Sequence, residues 1–236
     1  MTEAEWLTCA DPTPMLEFLR EKASDRKLRL FAVACCRLLM TRVRVSPMGQ
    51  HVVNVAERYA DAAVSIGDLA NAHCYSSSPI ATKFSLIDAT QADSREAECA
   101  CSNAAEIDGE VIMADCAAGN AAWAAAKQGA ESPHDNSLSP IFNARLAVEQ
   151  ANQCELIGDI FGNLFRSVAL DPAFLTLTVV HLAQAIYDNR AFDRMPALAD
   201  ALHEAGCDYE EILDHCRAPA LHVRGCWALD LILGKL

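Results

Sequence analysis

Five residues towards one end of the chain carry side chains that bind metals or move protons: Cys207, His215, Cys216, His222 and Cys226, spaced Cys-x7-His-Cys-x5-His-x3-Cys. Thiolate and imidazole are the ligands zinc prefers. His222 and Cys226 lie four apart, so a helix beginning near residue 222 would point both at one place. His215 and Cys216 are neighbours, roughly 100° apart on a helix, so only one of them can join the set. There is no Cys-x2-Cys knuckle to anchor a metal, and the same residues serve as packed or hydrogen-bonded core groups, because buried cysteine behaves as a small hydrophobe. A chain without cofactor is the first expectation, and zinc is the alternative.

Other chemistries compete for the same stretch. With Cys226 as nucleophile, His222 as base and Asp230 as orienting carboxylate, the three groups would form a row along one helix, whereas a triad needs the base between the other two. Arg217, His222 and Arg224 gather positive charge near the start of the last helix, where free backbone N–H groups favour a carboxylate or phosphate. The competing reading has Arg217 closing the preceding helix and both arginines paired with Asp208, Asp214 or Asp230. Elsewhere, Cys35 and Cys36 cannot pair within a helix without strain, and Cys99 and Cys101 point apart by roughly 200°. The P-loop, Gly-x-Gly-x-x-Gly, Gly-x-Ser-x-Gly, His-Glu-x-x-His and EF-hand patterns are absent. Enzymes built on those motifs are disfavoured. A non-enzymatic protein-interaction module is the leading expectation, and its rival is an enzyme or sensor built on the tail cluster.

The elements that must position these groups read as helices throughout. Asp11-Pro12 precedes a helix from Met15 to Arg20, and Ser24 caps a long one to about Arg44, with Leu28, Phe31, Cys35 and Leu38/Leu39 in one stripe. Leu30, Val33 and Ala34 on its other faces make it a central helix. Ser46-Pro47 opens a helix over Val52 to Ala63, and a short one covers Ile66 to His73. Asp88 to Gln128 is rich in alanine and acids and holds two or three helices, with small residues allowing close approach around Trp123. Residues 129–140 form a Gly/Ser/Pro linker, and Ser139-Pro140 starts a helix to about Ile157. Asp171-Pro172 leads into Val179, Leu182 and Ile186. Three further helices run from Arg194 to Glu204, from Tyr209 to Cys216 capped by Asp208, and from Val223 to Leu233 stopped by Gly234.

No alternating β-pattern of convincing length appears. The expected fold is all-α: antiparallel helix pairs, as a bundle or a repeat-like stack, without significant β-sheet. The expected divisions are 1–128, an N-terminal helical region with the Ala-rich acidic middle, and 141–236, a C-terminal helical region, which pack as one domain or as two. In the last helix Trp227 and Leu231, with Val223, are expected to pack on the helices from Val179 and Leu198 as a structural clamp.

Of the 236 residues, 52% are hydrophobic and 22% charged, which places the chain among globular proteins and outside disordered tails. The formal charge of −13 opposes binding to nucleic acid or to an anionic membrane. Charge is uneven. Residues 13–44 carry eight Lys/Arg against three Asp/Glu, whereas residues 45–165 carry five against sixteen. The acidic run Glu96, Glu98, Glu106, Asp108, Glu110 and Asp115 is either a solvated helix face or a surface for a basic protein partner. The opening residues lack the basic and apolar regions of a signal peptide, and eleven cysteines form no secreted-domain framework, so reduced thiols and a cytoplasmic location are expected.

The two ends resemble a paralogous bacterial family with no established activity. The matching stretches are Met1-Thr-Glu-Ala-Glu-Trp-Leu7, Lys22-Ala-Ser-Asp-Arg-Lys-Leu-Arg-Leu-Phe31, Cys35-Cys36-Arg37 and Ala56-Glu-Arg-Tyr-Ala-Asp61. The tail adds Asp159-Ile-Phe-Gly-Asn163, Leu182-Ala-Gln-Ala-Ile-Tyr187, Leu198-Ala-Asp-Ala-Leu202, His215-Cys-Arg217 and His222-Val-Arg-Gly-Cys-Trp227. The chain departs from the family at Leu164, commonly Pro, and at Ala218-Pro-Ala-Leu221, commonly Gly-Pro-Gly-Pro. The resemblance implies an interaction role, as an adaptor or an immunity-type inhibitor, and supplies no catalytic residue.

Overall fold

The first four helices in the computed structural model begin where short polar side chains satisfy free backbone N–H groups. The structure describes residues 1–76, 93–106, 110–127, 140–166 and 168–235. Thr2 and Glu5 form a reciprocal capping box at α1 (Glu3–Thr8), and Asp11 caps α2 (Pro12–Leu19). Ser24 caps α3 (Asp25–Met40), and Ser46 caps α4 (Pro47–Ala60) with Pro47 in its first turn. Then come α5 (Ile66–Ser76), α6 (Asp93–Asn103), α7 (Glu110–Lys127) and α8 (Pro140–Phe161). The chain ends with α9 (Leu177–Asn189), α10 (Met195–Glu204), α11 (Glu210–Arg217) and α12 (Trp227–Leu233). The fold is all-α, and no strand occurs among the described residues.

Two compact units divide the chain, residues 1–154 and 155–236, with the boundary inside α8. The expected linker at 129–140 lies almost wholly outside the described residues. In the first unit α3 is the central element, packed by α4, α6 and α7. Leu28, Phe31, Cys35 and Leu39 are buried on one stripe, and Leu30, Val33 and Ala34 are buried on the others, as a central helix requires. Each large apolar side chain withdrawn in this way contributes about 1.5–3 kcal/mol. Alanines such as Ala97, Ala100, Ala117 and Ala121 are buried where α6 and α7 pack together. Trp123 is not at the centre of that packing. It is 41% exposed and leans on Phe142 of α8, ring centroids 5.0 Å apart.

Buried charges in this unit are paired. Arg37 grips Glu57 with Nε to Oε1 at 3.0 Å and Nη2 to Oε2 at 2.8 Å. Buried Arg29 donates to the carbonyls of Ala104 and Glu106, past the end of α6. The acidic run is not one solvated face: Glu98 accepts the backbone N–H of Ser46 at 2.6 Å, and Glu106 lies 3.7 Å from His73. Asp115 is exposed, while Asp108 and the side chains of Glu96 and Glu110 fall outside the described residues.

The second unit packs α9, α10, α11 and α12 in sequence around Val179, Ile186, Leu198, Leu202, Ile212 and Leu229. Its helix starts differ from the sequence reading. Asp171-Pro172 opens only a 3-10 turn, Pro172–Phe174, and Thr176 caps α9. Asp208 does not cap α11, which begins after Tyr209 without a side-chain cap. The last helix starts at Trp227 rather than Val223, because Gly225, at φ +90°, turns the chain just before it; Gly234 ends it at φ +64°. This helix buries Ala228, Leu229 and Ile232, with Trp227 and Leu231 half-buried at its flank, and it packs on α9 and α11. Leu198 and Leu202 share one buried cluster with Ala228, Leu229 and Ile232, and Trp227 and Leu231 pack against it.

Candidate functional site

Four residues of the second unit, Asp159, His215, His222 and Cys226, each offer a donor atom within 4.8 Å of the other three. They come from four places. Asp159 lies in the last turn and a half of α8, His215 towards the end of α11, His222 in the following loop, and Cys226 is the N-cap residue of α12. The apolar neighbours Leu156, Ile157 and Ile160 carry Asp159 into the interior, where a carboxylate must be hydrogen-bonded to be tolerated.

The partners of Asp159 are specific. His222 Nδ1 donates to its Oδ1 at 2.7 Å, and the backbone N–H of Val223 donates to its Oδ2 at 2.9 Å. His215 Nε2 lies 3.3 Å from the same Oδ1 and 3.2 Å from Cys226 Sγ. Burial pushes the Asp159 carboxyl up, but hydrogen bonds from His215 and His222, and their charges, outweigh it and hold the group below its ordinary value. The His215 ring stacks edge-on against His222 and tilts against Trp227, with centroids 4.9 Å away in both cases. His222 Nε2 is buried without a hydrogen-bond partner.

The structure thus brings together three of the five tail residues. His215 joins and Cys216 does not, as their 100° divergence requires. Cys207 and Cys216 belong to the apolar core of the unit, and burial, then the Asp159 charge, pushes the Cys216 thiol up to about 12. His222 and Cys226 converge for a reason the sequence reading did not contain: they are not one turn apart on a helix but meet across the turn at Gly225. Asp159 was not among the expected ligands, although a lone carboxylate on the apolar face of a helix was the available signal.

Thiol catalysis finds no geometry here. Cys226 is completely buried, and burial followed by the Asp159 charge pushes its thiol well above the ordinary range. Asp230 is not in the cluster, and one nitrogen of His215 faces both Cys226 and Asp159, whereas a relay uses two. The expected anion site is also not assembled. Arg217 reaches Asp200 at 3.6 Å, Arg224 donates to the carbonyls of Tyr187 and Asp188 and closes the end of α9, and His222 is held by Asp159. Arg217 thus takes Asp200 in place of the expected Asp208, Asp214 or Asp230.

A second feature lies in the first unit. Along α8 the exposed residues Ile141, Ala144, Arg145 and Val148 follow helical spacing, and with Ala125 and Arg42 they line a groove. Ile141 is 66% and Val148 59% exposed, which is unusual for two large apolar residues on one face. Arg42 pairs with buried Glu149 at 2.6 Å, and Lys127 sits 5.5 Å over the Trp123 ring.

Fold and site together define an all-helical protein with a buried Asp-His-His-Cys cluster in one unit and an exposed apolar stripe in the other. No family model, curated protein or solved structure matches the chain. No helix among the described residues is long and apolar enough to cross a membrane.

Proposed function

We propose that the chain is a non-enzymatic protein-interaction module, in the manner of an adaptor or inhibitor, whose α8 stripe receives an amphipathic helix of a partner protein. The stripe Ile141, Ala144, Val148 carries this reading, because exposed apolar residues at i, i+3 and i+7 match the anchors by which one helix recognises another. The partner helix is acidic. The net charge of −13 favours a basic partner for the molecule as a whole, but the charged residues lining this groove are Arg42 and Arg145, and local complementarity governs docking.

A designed peptide helix with leucines on one face and glutamates on its flanks tests this against a version with every glutamate changed to lysine. Exposed Trp123 reports binding by a blue shift of its emission. The acidic peptide is expected to bind, more weakly as salt rises, and Val148→Asp or Ile141→Asp is expected to weaken it about tenfold or more, the effect of losing one anchor. Equal binding of the lysine peptide, or binding of neither, overturns the reading.

A further inference from the structure

We propose that Asp159, His215, His222 and Cys226 bind one divalent transition-metal ion, zinc by the chemistry of the set, and that the ion pins the end of α8 to α11 and to the start of α12. The inference is independent of the α8 stripe, which lies in the other unit.

Geometry supports it first. Ligand bonds of 2.0–2.3 Å arranged as a tetrahedron put ligand atoms roughly 3.3–3.8 Å apart. The three close approaches here are 2.7, 3.3 and 3.2 Å, and all four donor atoms lie within 4.8 Å of one another. To accept an ion the closest pair must open by about 0.6 Å and the widest must close by up to about 1 Å, movements of roughly half an ångström per atom that side-chain adjustment can supply. Asp159 is already oriented for it, because the Val223 N–H holds Oδ2 and leaves Oδ1 facing the two imidazoles.

Proton counting supports it second. Four potential ligand atoms converge on few protons: His222 Nδ1 donates to Asp159 Oδ1, and His215 Nε2 has one proton to share between Asp159 Oδ1 and Cys226 Sγ. A cation at the centre engages all four once each imidazole carries its proton on its other nitrogen and the Cys226 proton is released to solvent. One carboxylate and one thiolate then cancel a charge of +2 in a buried place where net charge is costly. A thiolate with two imidazoles selects zinc over magnesium or calcium, and four protein ligands with no open position describe a structural site.

The test uses the full chain prepared without a metal-binding tag. Elemental analysis after dialysis with zinc is expected to give one ion per chain. Chelation should lower the thermal midpoint and added zinc restore it. Cobalt in place of zinc should give the visible bands of a tetrahedral ion with a thiolate charge-transfer band. Cys226→Ser and His215→Gln should each weaken zinc by more than the roughly 10–100-fold that loss of an outer-shell partner costs, while Val148→Asp should leave zinc content unchanged. Should the variants fail to fold, the cobalt spectrum of the unaltered chain still decides. Absence of retained zinc together with a midpoint insensitive to chelator, or zinc retained undiminished by folded Cys226→Ser, overturns the proposal.

Discussion

The indole of Trp227 lies so close to Gly162 that a Cβ on the glycine would sit 3.0 Å from Trp227 Cγ, and Gly162 holds φ +66°. Both facts exclude a side chain at this corner. A left-handed conformation costs a non-glycine residue about 1–2 kcal/mol, and overpacking adds about 1–3 kcal/mol. Gly162→Ala should thus lose about 2–5 kcal/mol in urea unfolding. In a Trp227→Ala background only the conformational part, about 1–2 kcal/mol, should persist. Equal losses in both backgrounds would show that the ring and the glycine are not coupled.

Two helical glycines should respond in opposite directions. Gly119 in α7 is exposed, with nothing within 4 Å of a new Cβ, so Gly119→Ala should stabilise by up to about 1 kcal/mol through helix propensity. At Gly49 in α4 a Cβ would meet Val45 Cγ1 at 2.5 Å and Glu98 Oε2 at 2.6 Å. Glu98 accepts from the Ser46 N–H and Val45 is buried, so neither yields easily. Gly49→Ala should therefore destabilise by about 1–3 kcal/mol despite the same propensity gain. Thermal melts of the pair check the sign.

Removing Arg37 takes the bidentate partner from a buried carboxylate. Glu57 is 2% exposed and both of its oxygens accept from Arg37. Arg37→Met should cost about 3 kcal/mol, the low end for a broken buried pair because Arg37 is partly exposed. Adding Glu57→Leu to it should recover most of that loss. A double variant worse than the single one would mean that Glu57 is held by more than this arginine.

Asp115 gives a pH signature. Partial burial, then the charges of Asp11 and Glu17, holds its carboxyl above the ordinary value of 3.8. The folded chain therefore binds this proton more tightly than the unfolded chain does, so ionisation costs stability. That cost is full at neutral pH and disappears as pH falls through the folded value towards 3.8. Asp115→Asn should stabilise by about 0.2–0.5 kcal/mol at pH 7, less in high salt, because the group is well exposed. The advantage should vanish below pH 3.8; a difference that does not change with pH would discard the repulsion.

Helix identity was legible in the sequence because it is written locally. Ser24, Ser46-Pro47 and Gly234 sit where α3, α4 and α12 start or stop, and the Leu28/Phe31/Cys35 stripe shows which helix is central. The site was only half legible. His215, His222 and Cys226 stand within a dozen residues, but Asp159 is 63 positions from His222, and only folding reveals that proximity. Gly225 was the overlooked signal: as a helix residue it disfavours the predicted start at Val223, and as a turn residue it produces the convergence. Arg224 also takes the carbonyls of Tyr187 and Asp188, contacts that spacing does not announce, because the end of α9 offers acceptors to any nearby cation.

The placement of the thiols makes the protein its own stability gauge. Cys74, Cys99 and Cys116 are exposed and open to alkylation in the native state, whereas Cys35, Cys36, Cys101 and Cys154 are buried in the first unit and Cys207, Cys216 and Cys226 in the second. Burial holds Cys35 protonated, and a hydrogen bond with Cys36, then burial, does the same for Cys101, while Cys226 is completely buried, so these react only when their surroundings open. Pulsed alkylation read by peptide mass would time the opening of each unit separately, without introduced labels. If both sets of buried thiols acquire label at one rate across a denaturant series, the two units unfold as a single cooperative body; two rates would give each its own free energy of opening.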